Sequence, residues 1–98
     1  MEKIVKVKSQ STLQERDWTN ERTGEKKVIK SLTLEVTDGI DTFLVDASDT
    51  LAEALAKSPL RTDALYGLRC RMVVNETMRE SGEKRRFTNI KIINIVQL

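Results

Sequence analysis

The last part of the chain reads as one long hairpin, Leu68 to Val96, in which two β-patterned runs flank the turn Glu80-Ser81-Gly82-Glu83. Leu68, Cys70, Met72 and Val74 share one parity before the turn. After it, Ile90, Ile92 and Val96 share one parity, and Phe87, Ile93 and Ile95 the other. A period of two belongs to strands, and apolar residues on both parities late in the second arm point to barrel closure or a subunit contact. Lys84-Arg85-Arg86-Phe87 follows the turn at once. A positively charged arm with an aromatic beside it suits a nucleic-acid backbone and its bases.

The chain has 98 residues, which makes residues 1–98 a single domain, because a second core could not bury enough apolar surface to offset chain entropy. Lys3 to Lys8 alternates as a strand with Val5 and Val7 inward and Lys6 and Lys8 outward, and its β character continues through Leu13 toward Trp18. Asn20 to Glu25 supplies a turn in which Gly24 takes positive φ. The run from Val28 to Val36 then gives a second strand, with a bulge or strand end expected near Lys30, which breaks its alternation. Asp38-Gly39 marks another turn, and Thr42 to Ala47 forms a third strand.

The period then changes. Thr50-Leu51-Ala52-Glu53 has the form of a capping box, so a helix is predicted there, stopped by Pro59. Arg61 to Tyr66 reads as a further helical turn, with Tyr66 as a structural cap and Gly67 launching the fourth strand. The order β-β-β-α-β-β is that of a mainly β, five-stranded Greek-key OB barrel with one helix between strands three and four. The alternative is a small open α+β sheet with the helix on one side.

Charge is unevenly spread. Residues 1–34 carry eight Lys/Arg against five acids, residues 35–63 two against seven, and residues 64–98 seven against three. If the two basic segments share a face, the fold has a basic side. The one cysteine, Cys70, lies in an alternating run where a small buried hydrophobe fits, and it cannot form an internal disulfide. No leading apolar segment and no stretch near the roughly 20 apolar residues of a membrane span is present, so a cytoplasmic location without membrane contact is expected.

Thr50-Leu51-Ala52-Glu53, Gly67, and Glu80-Ser81-Gly82-Glu83-Lys84-Arg85-Arg86-Phe87-Thr88-Asn89-Ile90 together resemble the bacterial single-stranded-DNA-binding protein family of OB domains. In that family the last hairpin similarly carries a Ser-Gly turn followed by a basic residue, an aromatic and a Thr. Asn20 to Lys27 resembles the family's first loop less closely. The chain departs from the family in lacking the usual wording after the first strand, several stacking aromatics and the acidic-tipped tail. It resembles the compact, tailless members, such as the primosomal replication proteins, more than the full-length kind.

In an OB barrel two hairpin loops flank the face on which a single strand lies. Arg79, Lys84, Arg85 and Arg86 sit near one loop and Arg22, Lys26, Lys27 and Lys30 near the other, where they can track phosphates. Against this, exposed hairpins often carry charge for solubility and edge protection, and Glu80 and Glu83 are intermixed here. Trp18, preceded by Arg16 and Asp17, either stacks on a base or packs across its hairpin, and Phe87 has the same two options. Phe43 stacks only if its parity faces the groove. Arg69 and Arg71 share a face of the fourth strand and either extend the basic surface or pair with neighbouring acids.

Asp38, Asp41, Asp46 and Asp49 do not have the spacing of a calcium loop, and no phosphate-loop glycine pattern occurs. Without histidine the usual general base and zinc ligand are missing, so neither catalysis nor a metal or other cofactor is expected. The leading expectation is sequence-tolerant binding of single-stranded DNA, with RNA as the nearest variant, in replication, recombination or repair. Partners would be a second or further copies in a homodimer or homotetramer, and replication or repair proteins. The rival is a protein-interaction or assembly module on the same barrel.

Overall fold

The structure, a computed structural model, describes residues 1–78 and 81–98. It is mainly β with one helix: β1 (Glu2–Gln10), β2 (Gln14–Thr19), β3 (Lys26–Thr37), β4 (Thr42–Ser48), α1 (Asp49–Lys57), β5 (Leu65–Met78) and β6 (Lys84–Gln97). The sheet runs β1-β5-β6-β4-β3-β2, and a further antiparallel pairing of β1 with β3 closes five strands into a ring.

The expected first strand is broken in two. Ser11 exchanges hydrogen bonds with Thr33, its N–H reaching the Thr33 carbonyl and its hydroxyl accepting the Thr33 N–H, both at 2.9 Å. Beyond this point β3 changes partner. Its C-terminal half pairs with β1, and its N-terminal half, from Lys26 to Ser31, pairs with β2 in a hairpin that leaves the ring.

Val5 and Val7 of β1, Leu32, Leu34 and Val36 of β3, Val45 and Ala47 of β4, and Tyr66, Leu68 and Cys70 of β5 fill the interior. Burying these alternate side chains is what selects the register, since a one-residue slip would turn every one of them to water. Cys70 is completely buried, and burial raises its thiol pKa, in keeping with a packing role.

Two bulges tune the closure, neither of them at Lys30, where a bulge or a strand end was expected and where the pairing with β2 ends one residue on, at Ser31. In β1 the register steps from Val7–Val36 to Ser9–Glu35, leaving Lys8 as the extra residue. In β6 it steps from Asn94–Arg69 to Ile92–Cys70, leaving Ile93 extra. This second bulge explains the apolar residues on both parities of β6. Ile90, Ile92 and Ile95 all pack against the core, while Ile93 and Val96 face out.

The helix departs from its sequence signature. Ser48 occupies the N-cap without a side-chain hydrogen bond, and Asp49 takes a left-handed φ of 50°, so the Thr50–Glu53 capping box does not form. Glu53 pairs instead with Lys30, the residue that interrupts the β3 alternation. The helix covers one barrel end with Ala52 and Leu55, where Gln10 donates to the Leu55 carbonyl (3.0 Å) and accepts the Leu60 N–H (3.3 Å).

Arg61 to Ala64 forms a turn, not a further helical turn, and β5 already begins at Leu65. The buried Tyr66 accepts the Arg61 N–H on its hydroxyl at 2.8 Å, which locks that turn. At the other barrel end Lys3 lies 5.8 Å from the Phe43 ring centroid and pairs with Asp38 at 2.9 Å.

The β5–β6 hairpin continues well past the ring, pairing as far as Met78–Lys84. Met72 and Val74, on the same parity as the buried Leu68 and Cys70, therefore stand exposed. The radius of gyration is 15.6 Å, above the roughly 13 Å of a compact chain this long, because two hairpins project from a small barrel.

Candidate nucleic-acid interface

Residues directly opposite each other in a ladder share a face, so registers carry a face from strand to strand. Trp18 pairs with Lys27 of β3, and Ile29, Ser31 and Thr33 continue that parity. Thr33 pairs with Asp46 of β4, Asp46 with Lys91 of β6, and Lys91 with Arg71 of β5. Phe87 and Arg85 share the parity of Lys91. Trp18 and Phe87 thus stand on one outer face of the sheet, each on a projecting hairpin, with β4 between them.

Both aromatics are available to a ligand, Trp18 at 46% exposure and Phe87 at 45%. The Arg85 guanidinium lies 5.9 Å from the Phe87 ring centroid, which orients the ring through a cation–π contact. Arg16, Lys27, Arg71, Arg85 and Lys91 occupy this face of the two hairpins. Glu15, Asp17 and Glu76 fall on the reverse face, together with Lys26, Lys84 and Arg86. The alternation therefore sorts the charge. Among the described residues, the outer face of the projecting parts of the hairpins carries cations without acids, and the acids Glu2, Glu35 and Asp46 lie only where that face crosses the ring.

The other expected residues separate from this group. Phe43 has the inward parity of Val45 and Ala47 and packs partly against the core, so it does not reach the outer face. Lys30 is held by Glu53, and Arg86 lies 3.8 Å from Glu76, directly across the ladder. Arg69 faces outward but pairs with Glu2 at 3.2 Å, farther along β5. Arg22 sits in the tip of the β2–β3 turn, where its N–H donates to Asn20 at 2.9 Å and Gly24 takes a φ of 71°. Arg79 lies outside the described residues.

Lys91, Leu44 and Asn89 belong to the outer face but were missed in the sequence. Lys91 was legible in principle, being four residues from Phe87 and so on its parity. Leu44 and Asn89 gain meaning only from the junction of β4 with β6, where a cleft of about 410 Å³ opens between Thr33, Leu44, Asp46, Thr88, Asn89 and Ile90.

A second outer surface lies on β1, β5 and the end of β6. Ile4, Gly67 and Val96 form one row across the three strands, and Leu65 and Leu98 adjoin it. Ile4 is 60% exposed and Leu98 66%. Gly67 makes a hollow in the row, and Glu2 and Arg69 pair beside it. Among the described residues no three His, Cys, Asp or Glu side chains cluster as a metal site, and no helix is long and apolar enough to cross a membrane.

No protein-family model matches the chain, and no curated protein matches it in sequence.

Proposed function

We propose that this chain is an OB-fold domain that binds single-stranded DNA with little sequence preference, by stacking bases on Trp18 and Phe87 and neutralising phosphates with Arg16, Lys27, Arg71, Arg85 and Lys91. The observation that carries this reading is the sorting of the acids on the hairpin strands: one face carries the exposed aromatics with cations alone, and the acids Glu15, Asp17 and Glu76 fall on the other, where they mix with Lys26, Lys84 and Arg86. Charge placed only for solubility has no reason to sort by parity. The five-strand ring, its parallel β4–β6 junction and the helix between β4 and β5 support the OB reading of the fold. Replication, recombination or repair are the processes that handle such a ligand, and no catalysis or cofactor belongs to the proposal. Stacking and phosphate contacts serve RNA equally well, so RNA is the nearest variant ligand.

The partner proposed besides nucleic acid is a second copy of the chain. The surface proposed for this contact is the exposed row Ile4, Gly67 and Val96, in which an isologous approach would bring Ile4 of one copy toward the Gly67 hollow of the other. A glycine within a strand suits such a close approach. The same apolar surface is the specific observation favouring an assembly module as the second reading.

Titrating Trp18 fluorescence with a mixed-sequence single strand and with the matching duplex, at low and moderate salt, tests the proposal. Saturable quenching by the single strand that weakens with salt and is poor with duplex is expected. No response, together with no shift in a mobility assay, would leave the assembly reading in its place.

A further inference from the structure

Resting on the single-strand reading, we infer that the cleft between β4 and β6 is a nucleobase subsite that favours bases carrying an exocyclic amino group, with Asp46 as the residue that reads it. Among the described residues β4 and β6 meet in the single parallel pair Asp46–Lys91, whereas the other junctions of the ring run over several residues. The cleft lies along this short junction, on the sheet between the hairpins that carry Trp18 and Phe87.

Its chemistry suits one flat ring with a polar edge. Leu44, 59% exposed on the outer face of β4, and Ile90 give apolar contact. Thr33 donates its hydroxyl to Asp46 Oδ1 at 2.8 Å, which fixes the carboxylate. Asp46 Oδ2 has no hydrogen-bond or ion-pair partner among the described residues, including Lys91 beside it on β6. A fixed carboxylate oxygen accepts from an amino group, as carboxylates do from cytosine N4. Guanine and adenine also offer amino donors. Thymine offers only an imide N–H between two carbonyl oxygens, which a carboxylate repels. An acid in the middle of a surface otherwise suited to phosphates is thereby explained: it costs some attraction for the backbone and contributes a preference among bases.

The test compares oligo(dC) with oligo(dT) of equal length by fluorescence anisotropy, for the wild type and for Asp46→Asn, which retains an oxygen acceptor for Thr33. The wild type is expected to bind oligo(dC) about tenfold more tightly than oligo(dT), within the roughly 5- to 150-fold that one good base contact supplies and a modest preference on an otherwise sequence-tolerant surface. Asp46→Asn should reduce that ratio to about threefold or less at an unchanged melting temperature, mainly by binding oligo(dT) more tightly, since a neutral amide can also donate to a thymine carbonyl. Equal binding of both oligomers by the wild type, or a ratio that survives the substitution, overturns the subsite while leaving single-strand binding intact. If neither oligomer binds, the single-strand reading itself fails, and the subsite with it.

Discussion

Asp46 and Lys91 meet as the parallel pair that joins β4 to β6, and through this junction the β2–β3 and β5–β6 hairpins present their outer residues on one continuous face. Asp46 also pairs with Thr33 of β3, so it touches a strand of each hairpin. The Asp46–Lys91 pairing sets the phase of the sheet, and the phase decides which of the many basic residues stand together.

Stacking can be checked one ring at a time. Trp18→Ala and Phe87→Ala should each weaken binding of a single strand by about 1–3 kcal/mol, or roughly 5- to 150-fold, the usual worth of a stacked base. Phe43→Leu should leave affinity nearly unchanged, because Phe43 faces the core. Anisotropy with labelled oligonucleotides measures all three.

Salt dependence should separate the two faces of the hairpins. Alanine at Lys27, Arg71 or Arg85 should lower the slope of log K against log salt by about 0.7 for each phosphate that is no longer neutralised. Lys26→Ala and Arg86→Ala, on the reverse face, should leave the slope unchanged. Equal effects on both faces would indicate diffuse attraction in place of a defined track.

Self-association is tested at the Gly67 hollow. A Cβ at this position lies 3.5 Å from Val96 Cγ2 and Leu98 Cδ2, an ordinary contact, so Gly67→Ala should fold normally while filling the hollow. Sedimentation should find a wild-type dimer that Gly67→Ala weakens and Ile4→Lys abolishes. A wild type that stays monomeric at high concentration removes this surface as a contact between copies.

Acid should loosen the barrel end formed by Lys3, Asp38 and Phe43. The Asp38 carboxyl is held far below the usual carboxylate range by the Asp41 N–H, by the Lys3 ammonium and by the Ile40 N–H. A group with a depressed native pKa adds stability that is complete above its unfolded value, near about 3.9, and is lost as pH falls through its native value. The melting temperature of the wild type should therefore fall below about pH 4 more steeply than that of Asp38→Asn.

Much of the architecture was legible because burial acts through local periodicity. The alternation of Val5 with Val7, of Leu32 with Leu34 and Val36, and of Leu68 with Cys70 fixed which sides of those strands face inward. Asp38-Gly39 and Gly24 marked turns through backbone preference. The misread places are those where a distant partner overrides a local signal. Glu53 abandons a capping role for Lys30, which lies on another element. The bulge in β6 exists because closing the ring requires Ile92 and Ile95 both to face inward, which an unbroken alternation forbids.

The candidate site divides along the same line. Trp18, Phe87 and the basic residues around the two turns were identifiable by type, since stacking and phosphate neutralisation need those side chains wherever they sit. Which of them cooperate was not, because parity relates residues only within a strand, and no local rule relates the phase of β2 to that of β6. Sequence by itself determined the alternating strands, the helix, the turns and the stock of cations and aromatics. The tertiary structure alone decided the ring and its bulges, and it set Trp18, Lys27, Asp46, Lys91 and Phe87 on a common face while turning Phe43 inward. The physical reason is that strand-to-strand register is fixed by side chains far apart in the chain that must share one interior.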